Sequence, residues 1–145
     1  MEKARNVDEY IQQQKRAIAQ NPECGNSHYN LAVALIGKKQ YAEAQKELYA
    51  AIENSPNLAE AYVQLGGLSL QRGDLEGCLD WNKRAIHARA GFAEGHANIG
   101  FVHMQMGNVD EAIPSLEKAG RWNPKFLQAY ATLANAYLMQ GQIDE

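Results

Sequence analysis

The chain has little of what a β-sheet needs. Its 145 residues include one Thr, five Val and eight Ile, against 22 Ala. β-Branched side chains pack well on a pleated surface, so this balance excludes a sheet protein and favours helices. Cysteine is scarce too: Cys24 and Cys78 cannot make a disulfide framework. No apolar run approaches the roughly 18 residues of a membrane span. Neither charge dominates. Fourteen Lys and Arg against 17 Asp and Glu give a formal net charge of -3, with no global pull toward nucleic acid or an anionic membrane. The opening MEKARNVDEYIQQQ is polar where a signal peptide would be apolar, so a cytoplasmic protein is the expectation. A glycine-rich phosphate loop and a G-x-S-x-G elbow are both missing. With 46% hydrophobic and 21% charged residues, the chain still has ample material for a core.

What is present is a period. Pro22 and Pro56 lie 34 residues apart, and Pro56 and Pro124 lie 68 apart. The same register aligns segments 25–58, 59–92 and 93–126 as three complete units. Segment 6–24 matches the second half of a unit, and 127–145 the first half. Each unit has the apolar periodicity of two helices. Leu31, Leu65, Ile99 and Leu133 recur in the first helix, each followed by a small residue: Ala32, Gly66, Gly100 or Ala134. A small residue beside a large one lets a neighbouring helix approach closely. Rings recur three residues earlier, at His28, Tyr62, His96 and Tyr130. The second helix repeats small residues at Ala44, Cys78 and Ala112, and again at Ala51, Ala85 and Ala119.

Punctuation agrees. Gly73, Gly107 and Gly141 fall where a left-handed residue would end the first helix. Lys39 stands there in the first unit, so a different turn is expected. Asn6–Glu9 and Asn108–Glu111 have capping-box spacing at the start of second helices. Pro22, Pro56 and Pro124 end second helices, with Ala90 at the remaining site. Pro114 lies inside a second helix, where a small bend is expected.

These segments resemble the tetratricopeptide repeat, a 34-residue unit of two antiparallel helices. The likeness is strongest in AYVQLGGLSLQRGDLEGCLDWNKRAI and GHANIGFVHMQMGNVDEAIPSLEKA. It implies an all-α fold, a right-handed superhelix of antiparallel helix pairs with first helices lining a concave groove. It also implies a non-enzymatic scaffold or adaptor that holds protein partners. Asn82 and Gln14 depart from the pattern where Leu48 and Leu116 satisfy it, so Asn82 and its neighbour Trp81 either pack differently or serve the surface.

The resemblance assigns the groove lining to Asn26, Tyr29, Val33 and Ile36, then Val63, Gly67, Leu70 and Gln71. It continues with Ala97, Phe101, Met104 and Gln105, then Ala131, Asn135, Leu138 and Met139. The four first helices contain two charges, Glu60 and Glu94. Some family members grip a carboxylate with groove lysines; here nothing would offset its desolvation. An apolar or amphipathic peptide or helix is the expected ligand. His28, His96 and His103 are expected to pack and hydrogen-bond, because no Cys or acid converges on them as a metal site would require. Neither a metal nor a cofactor is expected. The basic pairs Lys15–Arg16, Lys38–Lys39 and Lys83–Arg84 are interspersed with acids, so no nucleic-acid partner is expected.

The half-units suggest two alternatives. One is assembly end to end, a homo-oligomer joined through Tyr10, Ile11 and Ile18 on one copy and Tyr130, Leu133 and Tyr137 on the next. The other is a piece of a longer protein, such as the regulatory segment of an enzyme.

Overall fold

The computed structural model describes residues 2–144, with side chains described for 6–141. Among the described residues there are eight helices and no strand: α1 (Glu2–Gln20), α2 (Gly25–Gly37), α3 (Tyr41–Asn54), α4 (Ala59–Gln71), α5 (Leu75–Ala88), α6 (Ala93–Gln105), α7 (Val109–Trp122) and α8 (Leu127–Asp144). The period is carried into the backbone. First-type helices start at 25, 59, 93 and 127, and second-type helices end at 20, 54, 88 and 122. Each helix packs on its chain neighbours in an antiparallel solenoid. No pair of helices could bury its faces alone, and stacking makes a shared core.

That core is built from the repeated large–small pairing. Leu31, Leu35, Leu48 and Ala44 lock α2 to α3, and Ala112 and Leu116 lie at the α7 seam beside α8. Gly100 is needed because of Leu116: a Cβ there would stand 2.5 Å from the Leu116 Cγ. Gly66 is needed because of Asn82, whose Nδ2 would lie 2.6 Å from an added Cβ. Asn82 is completely buried. Its Nδ2 donates to the Cys78 carbonyl at 2.8 Å, and its Oδ1 accepts from Asn98 Nδ2 at 3.1 Å. A surface role for Asn82 is thereby excluded. Trp81 is half-buried against Tyr49 and Tyr62, with the Arg84 guanidinium 4.7 Å from its ring centroid.

The recurring rings also acquire a job. His28 Nε2 approaches the Pro22 carbonyl at 2.8 Å, Tyr62 donates to the Pro56 carbonyl at 2.8 Å, and His96 Nε2 approaches the Ala90 carbonyl at 2.9 Å. One side chain per repeat thus satisfies the turn that joins it to the repeat before. Tyr130 departs from this and donates to the Gly120 carbonyl at 3.2 Å.

Several expectations are corrected. The turn at Lys39 is the same as at Gly73 and Gly107: φ is 63° at Lys39, 80° at Gly73 and 81° at Gly107. In each, the next amide reaches back five residues, Gln40 to Leu35, Asp74 to Ser69 and Asn108 to His103. That closing bond holds a lysine where glycine is cheaper. Asn6 does not open a helix; it lies inside α1, which begins at Glu2. Asn108 makes no side-chain cap bond. The observed cap is Asp74, whose Oδ1 accepts from the Gly77 amide at 2.9 Å. α8 runs through Gly141 to Asp144 instead of turning there. α7 runs unbroken through Pro114, which the expectation of a bend rather than a break allows.

Candidate functional site: the face of the first helices

Two adjoining hollows lie along α4, α6 and α8. One of about 240 Å³ is lined by Leu70, Ala97, Asn98, Phe101, Leu116, Phe126, Gln128, Ala129 and Thr132. The other, of about 490 Å³, is lined by Phe101, Met104, Gln105, Thr132, Asn135, Leu138 and Met139. Phe101 and Thr132 belong to both. Of the residues assigned from the sequence, Leu70, Phe101, Met104, Gln105, Asn135, Leu138 and Met139 are brought together here, with Ala97 at the edge of the smaller hollow.

The remainder divide by exposure. Val33 on α2 and Gln71, next to Leu70 on α4, are exposed, and Tyr29 and Ile36 are half-buried. Val63 is only 6% exposed and Ala97 only 7%. Val63 packs with Ala59, Ala85 and Phe92; Ala97 packs with Ala119, Ala129 and Phe126. Both offer a ligand little surface. Phe126 and Thr132 line the hollows and were missed. Phe126 belongs to a period-34 row with Leu58 and Phe92, each just before a first-type helix. That signal was legible.

The charges sit at one edge. Glu60 accepts from both Arg89 terminal nitrogens, at 2.6 and 3.2 Å. Burial raises the Glu60 pKa, but the Arg89 hydrogen bonds, a backbone hydrogen bond and the Arg89 charge together outweigh it, and the net shift is downward. Glu94 stands 34 residues later. Burial first, and the Glu60 charge second, hold its carboxyl above the ordinary value. Tyr29 is raised by burial and then by Glu60.

His28, His96 and His103 lie in the packed interior. His28 Nδ1 is 2.6 Å from Glu47 Oε2. His103 Nδ1 is 3.3 Å from Glu111 Oε2, an ion-pair distance without hydrogen-bond alignment. Among the described residues, no group of three or more His, Cys, Asp or Glu could hold a metal ion. Among the described residues, no helix is long and apolar enough to cross a membrane.

The terminal residues do not form one open patch each. Ile11 is 5% exposed, packed into the core with Leu31 and Leu35, and Ile18 packs against that cluster. Leu133 is half-buried against Val109 and Ile113. Tyr10, Tyr130 and Tyr137 are exposed.

Tetratricopeptide repeat models match residues 11–59 and 35–93, with a second such model on 103–145. The chain belongs to the tetratricopeptide repeat family. No curated protein matches it. Solved structures do. A crystal structure of MamA superposes with a TM-score of 0.82 at 24% identity, covering 99% of this chain and 84% of MamA. YrrB, described as a TPR protein with an unusual peptide-binding site, gives 0.72 at 15% identity over 97% of this chain and 72% of its own. PilF of Pseudomonas aeruginosa gives 0.80 at 19% over 98% and 72%. These likenesses establish the fold. In this repeat solenoid, the hollows therefore lie on the face of the first helices.

Proposed function

We propose that the protein is a non-catalytic scaffold that holds a peptide or helix from a protein partner across its first helices. The observation that carries this reading is the apolar surface left uncovered there. Phe101 is 37% exposed and Leu138 66% exposed beside the two hollows. Burying a Phe or Leu side chain completely is worth about 1.5–3 kcal/mol. Covering the open fractions of these two, with Val33 and Met139, supplies roughly 3–5 kcal/mol before ordering costs. Met104 and Met139 add adaptable surface, and Asn135 and Gln105 add polar groups for a peptide backbone. The peptide-binding site described for YrrB supports the same use of the fold.

Selection of peptides from a random library tests the reading. Peptides recovered on the wild type should lose at least tenfold in affinity on Phe101→Glu, with helical content unchanged. Peptides indifferent to that variant would refute it. Nucleic acid is a poor alternative: Lys15 pairs with Glu43, and Lys38 with Asp8.

A second reading is end-to-end assembly. Its support comes from comparing repeats. Positions buried as Leu35, Ser69 and His103 in the earlier first helices are held in α8 by Tyr137, 48% exposed. Position 130 is likewise 42% exposed where His28 and His96 are buried. One feature weighs against a second copy docking in repeat register. The internal repeats set Ala44, Cys78 or Ala112 in the helix facing that position, whereas α1 has Tyr10 there. Two tyrosines would meet where one large and one small residue belong, and overpacking costs about 1–3 kcal/mol. Light scattering after size exclusion should give a mass near 16.1 kDa; a mass climbing with concentration would favour assembly instead.

A further inference from the structure

The face of the first helices is graded in polarity. Residues spaced i, i+3 or i+4, i+7 and i+10 form one stripe along each helix. Across the four helices these stripes make rows. The row near the helix starts holds Asn26, Glu60, Glu94 and Gln128. The row ten residues later holds Ile36, Leu70, Met104 and Leu138. At 1.5 Å per residue the two rows are about 15 Å apart, slightly more than the 10–12 Å diameter of an α-helix with its side chains. A helix lying across the four first helices would therefore have one flank on the polar row and the other on the apolar row.

The polar row is unbalanced at one place. Glu60 has its cation in Arg89. The residue in the corresponding position of the next repeat is Asn123, so Glu94 has no counterpart of Arg89. Among the described residues, no Lys, Arg or His lies within ion-pair distance of Glu94. Helices α2, α4, α6 and α8 contain no Lys or Arg up to residue 139. An incoming cation would meet Glu94 and no like charge on these helices; an incoming carboxylate or phosphate beside Glu94 would be repelled by it. Both glutamates also complement the positive ends of their helices, which explains an acid at each site but not why only one carries a cation.

We infer that this face takes a basic amphipathic helix, its apolar side on Leu70, Phe101 and Leu138 and a lysine or arginine on Glu94. The inference rests on the peptide-holding reading and narrows it to a partner chemistry.

Three fluorescein-labelled 18-residue peptides test it. They share one leucine stripe and carry Lys, Gln or Glu on the polar face. Anisotropy titrations would use the wild type, Glu94→Gln, Phe101→Glu and, as a control on an exposed residue of α3, Glu53→Gln. Urea midpoints would confirm that each variant is folded. The expected result has the Leu/Lys peptide bound at least tenfold tighter than Leu/Gln, with Leu/Glu weakest. Glu94→Gln should shrink the Lys-over-Gln preference at least threefold, and Glu53→Gln should leave it unchanged. Equal binding of Leu/Lys and Leu/Gln, both weakened by Phe101→Glu, would overturn the basic preference and leave the peptide-holding surface standing. Binding of Leu/Lys that ignores Phe101→Glu, and falls equally in Glu94→Gln and Glu53→Gln, would be diffuse charge attraction and would overturn both.

Discussion

Lys39→Gly should stabilise the protein. Lys39 is an exposed non-glycine residue at φ 63°, in a turn that two other repeats build with glycine. The left-handed region costs an L-residue about 1–2 kcal/mol. Glycine has more freedom to lose on folding, which returns about 0.4–1 kcal/mol of that gain. The net is a stabilisation of about 0.5–1 kcal/mol, or roughly 1–4 °C in melting temperature for a chain of this size. Lys39→Ala keeps the left-handed strain and removes the same charge, so it should stay within about 0.5 kcal/mol of wild type. The mirror experiment is Gly73→Ala. A Cβ there meets nothing within 4 Å, so any loss is backbone strain, about 1 kcal/mol. Urea unfolding with m-values checked for constancy is the assay. The reasoning is refuted if Lys39→Gly is neutral or destabilising, or if Lys39→Ala gains as much.

Three further outcomes are expected. Gly100→Ala should destabilise by about 1–3 kcal/mol, because its Cβ would press on Leu116; adding Leu116→Ala should recover part of that loss in a double-mutant cycle read by urea unfolding. His28 should make stability pH-dependent. Burial lowers its pKa, but the bonds to Glu47 and to the Pro22 carbonyl together raise it on balance. Since the folded value is the higher one, the contribution is complete below about pH 6.5 and fades as pH rises through the folded pKa; melting curves from pH 5 to 9 should show this, and Glu47→Gln should flatten it. Asn98→Ala should destabilise by about 1–3 kcal/mol by leaving the buried Asn82 Oδ1 unpaired, with circular dichroism melts as the readout.

The period of 34 carried most of the fold, because a solenoid repeats its contacts with its residues. Helix ends at 54, 88 and 122 follow from that alone, although position 90 has alanine where the others have proline. What the period could not convey is which repeat departs from its siblings. Nothing in the letter Lys announces a left-handed φ; the bond from Gln40 back to Leu35 enforces it. Whether Asn82 packs differently or serves the surface stays open in the sequence until Gly66 is seen to make room for it and Asn98 to satisfy it. For the candidate site, the family resemblance located the stripe but not its width. Val63 and Ala97 lie on its margin, where Phe92 and Phe126 cover them. Ile11 was assigned to an open end because its helix lacks one neighbour, yet it points at the neighbour it has, α2.

Chemical-shift mapping of the labelled protein with the Leu/Lys peptide tests the central claim most directly. Amide shifts should concentrate at Gly67, Phe101, Thr132 and Asn135, along the hollows of α4, α6 and α8. Glu76 on α5 and Lys118 on α7 should move little. Shifts centred on the second-type helices α3, α5 and α7 would contradict the account and place the binding surface on the opposite side of the solenoid.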